Sequence, residues 1–239
     1  MIRGVLVYCC LALLIVPTAG QNPASSGAGT PPAKGFSDSG IFRIRRDGKE
    51  VGQEKFNIRW EGDLLKAESD IELKIPQSAA VSLHTELILN AVGKLISYSA
   101  ARTGAGPRKE MTVTLDKQVA ICEEKRGNVN ESTPVWVDPD FVLLDTNVFH
   151  HFELLVAQLL TGNLPEFVPV LIPQEQVSGK MKISAMGKET FKAGKQKIVV
   201  SHFQLDSGQV KISVWFDDAG RIYRISVPQN KAEVSRVVQ

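Results

Sequence analysis

Residues 145–161 read DTNVFHHFELLVAQLLT, the one stretch of the chain whose pattern predicts a long amphipathic helix. At about 100° per residue, one side of that helix is apolar and carries Val148, Phe149, Phe152, Leu155, Val156, Leu159 and Leu160. The opposite side carries His150, Glu153, Ala157 and Thr161. Only Leu154 interrupts that second side. Residues 145–147 suit an N-cap and Gly162 suits a stop. So wide an apolar stripe needs a partner surface, which the rest of the chain should supply.

The start of the 239-residue chain predicts a secretory signal peptide. Arg3 precedes an apolar run over residues 5–16, and small residues follow. We therefore expect cleavage after Gly20, or after Ala19. The run is too short to span a membrane. Residues 21–40, QNPASSGAGTPPAKGFSDSG, are small, polar and proline-bearing, and they predict a disordered linker. The sequence thus predicts an exported protein, periplasmic or extracellular, with a single β-rich domain over residues 41–239.

Charge and cysteine content exclude some classes of protein. Without Arg3, the 28 basic residues become 27, against 26 acidic residues. This near-neutral balance argues against binding to nucleic acid. Loss of the first 20 residues also removes Cys9 and Cys10, so Cys122 remains alone. We interpret Cys122 as a small buried hydrophobe, with an intermolecular disulfide or a reactive thiol as alternatives.

Alternation of apolar and polar residues with period two dominates from Ile41 onward and predicts β-strands. The clearest example is LLKAESDIELKI, residues 64–75, where Leu65 and Ile71 share one face with three other apolar residues. Short strands with frequent turn residues indicate antiparallel pairing of about ten strands, and a sheet of that size twists and curls. We predict a mainly β (α+β) fold, a strongly curved antiparallel sheet that is half-closed around the one helix.

The residue types that perform catalysis or bind metals form no recognisable site. His150 and His151 are adjacent, so on a helix their side chains point about 100° apart and cannot grip one ion as an i, i+4 pair can. We expect no metal, with His150 in solvent and His151 beside the core. The chain contains no G-x-S-x-G nucleophile elbow and no phosphate-binding glycine loop. These patterns predict a protein that is not an enzyme and that needs no cofactor.

One run of residues is strongly basic, and Glu189 is its only acid. Its lysines are Lys180, Lys182, Lys188, Lys192, Lys195 and Lys197. A hairpin that turned between Gly187 and Gly194 would gather a basic patch on one face, consisting of Lys180, Lys182, Lys195 and Lys197. Such a patch would make peripheral contact with anionic lipid headgroups or an acidic partner. The alternative is that these lysines protect an edge strand from unwanted pairing.

Two sequence motifs resemble those of a protein family. The opening motif is FRIRRDGKEVGQE, residues 42–54, and the closing motif is VWFDDAGRIYRISVP, residues 214–228. With their D-G-K-x-V-G and W-x-D-x-x-G-R patterns, they resemble a family of exported, β-rich bacterial envelope proteins of unknown function. The resemblance covers about residues 42–227. It implies an envelope location and a curved sheet, and it supplies no catalytic residues.

Two functions fit these predictions. The first is a binding module, in which an apolar groove between the curved sheet and the helix holds a lipid or other apolar ligand. Its expected lining or core residues are Trp60, Tyr98, Phe149, Phe152 and Trp215. The alternative is a structural or assembly protein of the cell envelope, which binds a protein partner through its surface or edge strands.

Overall fold

The computed structural model describes residues 35–74, 79–104, 106–162, 164–193 and 196–238. The predicted signal peptide, residues 1–20, and residues 21–34 of the predicted linker lie outside these ranges, as does Lys195. The first strand begins at Asp38. The ordered sheet therefore begins inside the stretch that was interpreted as linker, slightly before the predicted boundary at residue 41.

Fifteen strands and one α-helix occur in the described part of the chain. The strands are β1 (Asp38–Arg46), β2 (Lys49–Glu61), β3 (Leu64–Leu73), β4 (Val81–Leu89), β5 (Leu95–Thr103), β6 (Lys109–Asp116), β7 (Val119–Arg126), β8 (Val129–Trp136), β9 (Val142–Leu143), β10 (Phe167–Ile172), β11 (Val177–Ala193), β12 (Gln196–Asp206), β13 (Lys211–Phe216), β14 (Ile222–Val227) and β15 (Ala232–Arg236). The helix α1 is His151–Leu159, and two 3-10 helices are Pro173–Glu175 and Pro228–Asn230. Polar segments such as β8 also form strands, which is why there are more strands than the sequence pattern predicted.

All fifteen strands belong to one sheet, in the order β8-β7-β6-β5-β4-β3-β2-β1-β15-β14-β13-β12-β11-β10-β9. Two antiparallel meanders thus lead outward from the middle of the sheet, where β1 pairs with β15. The short strand β9 is instead parallel to β10, because α1 forms the crossover between them. The predicted fold, a large curved and mostly antiparallel sheet with one helix, is confirmed.

The end strand β8 approaches the beginning of β11, in the other half of the sheet, without a shared backbone ladder in the described residues. Side chains bridge the gap instead. Ser178 of β11 donates a hydrogen bond from its Oγ to the carbonyl oxygen of Trp136 in β8. Thr133 of β8 donates from its Oγ1 to Gln176 Oε1 over 2.8 Å. The sheet is therefore half-closed, as predicted.

The helix is shorter than predicted and begins later. Asn147 has a left-handed φ of 63°, which interrupts helical geometry before His151. The expected N-cap at residues 145–147 is wrong, because the helix starts after His150, whose side chain makes no capping hydrogen bond. The C-cap at Leu160 lies close to the predicted end.

The helix also lacks the solvent-facing side that its sequence predicted. Residues 151–157 are all buried, and His150 and Glu153 are 0% exposed. The cause is the curvature of the sheet, which places strands from both meanders around the helix. Burial on all sides also explains Leu154, the one apolar residue on the side that was expected to be polar.

The opening motif consists of positions with special backbone requirements. Asp47 and Gly48 have φ values of 49° and 74°, as the tight hairpin turn between β1 and β2 demands. A Cβ atom on Gly52 would lie 2.0 Å from the carbonyl oxygen of Glu72. Only glycine allows the backbones of β2 and β3 to approach so closely.

The closing motif is a turn that rests against the helix. Asp217 Oδ1 accepts hydrogen bonds from the backbone N–H groups of Ala219 and Arg221, both at 3.0 Å. Gly220 has a φ of 86°, and a Cβ atom there would lie 3.3 Å from Leu160 Cδ1. The motif therefore fixes the β13–β14 turn at the end of α1.

Candidate functional site

Side chains fill the space between the helix and the sheet. Tyr98, Phe149 and Phe152, three of the expected ligand-lining residues, are 1%, 2% and 4% exposed. The cavity beside His151 and Leu154 has a volume of about 20 Å³, which is room for about one water molecule. The groove predicted between sheet and helix is therefore filled in the described part of the structure, because the core residues of α1 occupy it.

The two tryptophans lie away from these three residues. Trp60 is half-buried and packs at the margin of the core. Trp215 lies between the buried residues Val214 and Phe216, so its side chain is on the outer face of the sheet. There its ring stacks on His202, with 4.2 Å between centroids. The structure does not bring the five aromatic residues together into one site.

Two lysines of the predicted basic patch, Lys180 and Lys182, have acidic neighbours. Lys180 Nζ lies 3.1 Å from Asp138 Oδ2, and Lys182 Nζ lies 3.8 Å from Glu166 Oε1. Both pairs are solvent-exposed, so they contribute little to stability. They do lower the positive charge that this surface presents to an anionic partner.

The structure also separates the members of the patch. Gly187, with a φ of 105°, takes part in a β-bulge within the long strand β11 instead of forming the hairpin turn. Lys197 consequently pairs opposite Lys192, ten positions after Lys182, which corresponds to roughly 33 Å along a strand. Lys195 lies outside the described residues. Of the three lysines of the patch that the structure describes, Lys197 therefore lies far from Lys180 and Lys182.

A larger pocket, with a volume of about 230 Å³, lies inside the sheet where β4 begins and β5 ends. Its apolar floor consists of Leu83, Ala100 and Met111. Its charged wall includes Arg102, Lys109, Glu124 and Arg126, and its other side includes Gln174 and Glu175 of the first 3-10 helix. We refer to this site as the end pocket.

Strand alternation explains why charged side chains line the end pocket. On β5, Tyr98 and Ala100 are buried against the core, so Arg102 points to the same side two residues later. On β7, the buried Cys122 is followed at the same spacing by Glu124. Charged residues at core-facing positions are uncommon and require a partner or a function.

The charges on the β6–β7 side of the pocket are mutually paired. Glu124 is 8% exposed, and it accepts a hydrogen bond from Arg126 Nε. Lys109 Nζ lies 3.6 Å from the same carboxylate oxygen. At the rim, Glu110 pairs with Arg108 over 2.8 Å. Each charge of this wall therefore has a partner, and Glu124 is shared by two cations.

Arg102 and Glu175 differ from the other charged residues that line the pocket. The half-buried Arg102 side chain has no hydrogen bond or ion pair with any described residue. Glu175 Oε1 accepts a hydrogen bond from Thr146 Oγ1 at 3.2 Å, and it has no cationic partner within the described ranges. The end pocket therefore offers one unpaired cation and one unpaired anion.

Hydrogen bonds connect the pocket wall to the protein interior. The Gln174 backbone N–H donates to Asp145 Oδ1 and its Nε2 donates to Asp145 Oδ2, both at 3.0 Å. The Tyr98 hydroxyl donates to the same carboxylate. Burial raises the pKa of Asp145, although the hydrogen bonds from Tyr98 and Gln174 act to lower it. Asp145 thus holds the first 3-10 helix against β5 below the pocket.

A second buried pair joins α1 to β2. Glu54 and His150 are both 0% exposed, and their Oε1 and Nδ1 atoms lie 2.7 Å apart. Glu54 Oε2 also accepts a hydrogen bond from the Phe149 backbone N–H at 2.9 Å. The expectation that His150 is solvated is therefore wrong. Glu54 shares its inward-facing parity with Phe56, a sequence signal that could have identified it.

A third buried cluster joins the helix to the first and last strands. Arg236 of β15 donates from its Nη2 to Glu153 Oε1 over 2.6 Å and also contacts Asp38 of β1. Its guanidinium lies 5.5 Å and 5.3 Å from the ring centroids of Phe42 and Phe56. Burial and the neighbouring Asp38 carboxyl hold the pKa of Glu153 well above its usual range.

Other kinds of site are not found in the described residues. No group of three or more His, Cys, Asp or Glu side chains is arranged to hold a metal ion there. Cys122 is a buried free thiol, and burial raises its pKa to about 11, so it is a poor nucleophile at neutral pH. None of the helices in these ranges has both the length and the apolar character needed to cross a membrane.

These features define a mainly β protein with a half-closed sheet, a buried helix and a small pocket at one end. The chain belongs to the family described as Domain of unknown function (DUF6134), whose model matches residues 42–237. The predicted resemblance to an uncharacterised β-rich family is confirmed at that level. A search of curated proteins finds no match.

Solved structures provide a likeness of fold. A β-barrel-like protein of domain of unknown function DUF1849 from Brucella abortus is similar with a TM-score of 0.55 and 7% identity, over 87% of this chain and 96% of that chain. A DUF1089 family protein from Pseudomonas aeruginosa has a TM-score of 0.45 and 14% identity, over 74% of this chain and 90% of that chain. The Brucella abortus structure supports the curved-sheet architecture.

Proposed function

We propose that this protein is a non-catalytic, exported binding protein whose end pocket takes a small molecule with an apolar body. One observation carries the proposal: core-facing charged residues surround an apolar floor within a pocket of about 230 Å³. A few polar groups around an otherwise apolar cavity are typical of ligand sites. The proposal therefore moves the ligand-binding site from the predicted groove between sheet and helix to the end pocket.

The volume of the pocket limits the size of the ligand that can bind. Pockets for drug-sized ligands have volumes of roughly 300–1,000 Å³, whereas this pocket has about 230 Å³. A short-chain molecule fits better than a whole lipid. Its apolar part would lie on Leu83 and Met111, and its polar end would face the charged wall.

The signal-peptide pattern supports export, and the ion pairs of the pocket support a non-catalytic role. Export is supported by the signal-peptide pattern of residues 1–20. A non-catalytic role is supported by Glu124, the most buried carboxylate of the lining, which is already committed to Arg126 and Lys109. A paired carboxylate suits a rigid wall better than proton transfer.

Filling the pocket tests this proposal. Calorimetric titration of the full chain with 1-hexanol, hexanoate and hexylamine should show binding of at least one probe. Ala100→Phe should weaken that binding at least about tenfold because its ring occupies the floor, and Ala100→Leu should weaken it less. Ala101→Phe is the matched control, since residue 101 is on the other face of β5. Absence of binding by all three probes, or equal binding by the folded Ala100 variants, would contradict the proposal.

A second candidate function, assembly with a protein partner, is favoured by the edge strand β8. Trp136 and Val129 on this strand are 72% and 55% exposed, and one side of its backbone pairs with no strand in the described residues. Open strand edges can bind another chain. In native envelope extracts, Trp136→Ser should then shift the protein to its monomer mass, while Val199→Ser at another exposed position should not. No shift would count against assembly through β8.

A further inference from the structure

The arginines of the described residues differ in how their charges are used. Nine of them take part in a hydrogen bond, an ion pair or another interaction, for example Arg236 with Glu153 and Arg126 with Glu124. Arg102 is the exception within the described ranges. It is half-buried in the wall of the end pocket. Desolvating a guanidinium without a partner costs free energy, so such an arginine is prepared to bind an anion.

We propose that Arg102 anchors the ligand of the end pocket and that this ligand is a short-chain amphiphile with one negative charge, such as a carboxylate. The inference rests on the proposed function and names its ligand class. A guanidinium matches the two oxygens of a carboxylate in a bidentate arrangement. The apolar floor two residues away at Ala100 takes the adjoining hydrocarbon chain.

The other cations of the pocket already have an anionic partner, which favours Arg102 as the position for a ligand anion. Lys109 and Arg126 share the Glu124 carboxylate, so each already has an anionic partner, although this one carboxylate balances only one of their two charges. A ligand carboxylate therefore gains more from Arg102 than from either of these residues.

Glu175 limits the charge that the ligand can carry. Its carboxylate lines the same pocket and has no cationic partner in the described residues. A dianion would be repelled by this carboxylate, whereas a monoanion is compensated by Arg102. The arrangement therefore selects a carboxylate over a phosphate monoester, which has a charge near −2 at neutral pH.

The chemistry of the anchor is tested with four probes that share one hydrocarbon chain. Hexanoate, 1-hexanol, hexylamine and hexyl phosphate are titrated into the full chain by calorimetry at low ionic strength. Hexanoate should bind most tightly, and its affinity should fall when the salt concentration rises, since salt screens the ion pair. The affinity of hexanol should depend little on salt.

Variants of Arg102 then test whether this residue binds the carboxylate of the ligand. Arg102→Gln should lower hexanoate affinity by about 10- to 100-fold, as expected for loss of a charge-assisted hydrogen bond, while hexanol affinity stays unchanged. Arg102→Lys should recover part of the loss, because it restores the charge without the planar fork. Arg43→Gln, which removes an exposed arginine that lies outside the pocket and pairs with Glu50, is the matched control. Glu175→Gln should improve the binding of hexyl phosphate.

The outcomes separate this inference from the function on which it rests. Equal or tighter binding of hexanol or hexylamine overturns the anionic ligand, and the proposed binding function survives if Ala100→Phe abolishes that binding. Hexanoate binding that Arg102→Gln does not change also overturns the anchor. If none of the four probes binds, both the inference and the proposed function fail.

Discussion

Charged side chains reach the inside of the sheet at two places, and the two places differ in how the charges are matched. Around α1, Arg236 is held between Glu153 and Asp38, and Glu54 is paired with His150. In the end pocket, Arg102 and Glu175 have no ion-pair partners within the described ranges. One group of charges is enclosed and matched, whereas the other is reachable and unmatched.

This difference separates charges that hold the fold from charges that are available for binding. A buried ion pair contributes little beyond an apolar replacement, but the loss of one partner leaves an uncompensated charge at high cost. Mutations in the Arg236 cluster should therefore lower the unfolding free energy. Mutations in the end pocket should instead lower the affinity for the ligand.

The largest effect is expected at Arg236. Arg236→Met keeps much of the side-chain volume but leaves Asp38 without its cation and Glu153 without its hydrogen-bond donor, so it should lower the unfolding free energy by about 3–5 kcal/mol. Arg45→Met is the control, because Arg45 and Glu233 form an exposed pair at 3.9 Å that is worth at most about 1 kcal/mol. Urea unfolding measures both variants. Equal losses would show that the buried cluster is not a special determinant of stability.

A smaller effect is expected from protonation of His151. The Asp145 backbone N–H donates to His151 Nδ1 over 3.3 Å, which requires that Nδ1 carry no proton. Burial, together with the neighbouring His150, holds the pKa of His151 well below its usual range. Below a pH of about 6.5, the unfolded chain binds a proton at this residue that the folded protein does not. The contribution of His151 to stability is therefore complete above that pH and is lost as the pH falls.

Comparison with His151→Gln isolates this contribution. The raised pKa values of Asp145 and Glu153 act in the opposite direction, because the folded protein keeps protons there that the unfolded chain has lost, and so stability from them rises as the pH falls. Both proteins share these carboxyl groups. The difference in unfolding free energy between wild type and variant should shrink by up to about 1.4 kcal/mol per pH unit below pH 6.5. A constant difference between pH 7.5 and pH 5 would contradict the assignment.

The smallest effect on stability is expected at Arg102. Arg102→Gln removes no hydrogen bond or ion pair among the described residues, so the unfolding free energy should change by less than about 0.5 kcal/mol. Thermal and urea unfolding of the ligand-free protein measure it. A loss as large as that of Arg236→Met would place Arg102 with the charges that hold the fold, and the distinction between the two regions would fail.

The sequence predicted those features that follow from local periodicity. Alternation with period two predicted the sheet, and the apolar stripe of residues 145–161 predicted a helix with one side packed on it, although not the burial of its other side. The two motifs also contain the turn residues Gly48 and Gly220, which have the positive φ that these turns require. Each of these features depends on residues that are close together along the chain.

The sequence did not predict features that depend on which distant segments meet. Glu54 and His150 are 96 positions apart, and nothing in either local pattern identifies the other as its partner. Gly187 was interpreted as the start of a turn, but it lies in a bulge of β11. Both structures require a positive φ, so the residue type does not distinguish them. The alternation of β5, extended from Tyr98 and Ala100, places Arg102 on the side that faces the core. A charged residue at such a position is a sequence signal that could have identified the end pocket.

The pairing of β1 with β15 is the contact of the sheet that joins the most distant parts of the chain, so we expect it to form late in folding. Hairpins within each meander close short loops, but this central pairing joins Asp38 to Arg236 across 198 positions. Closing so long a loop is entropically costly, and distant pairing slows folding. Until the final strand docks, β1 presents an open edge to other chains and the helix lacks the guanidinium that matches Glu153. We therefore expect docking of β15 to cover the open edge of β1 and to complete the cluster around Glu153.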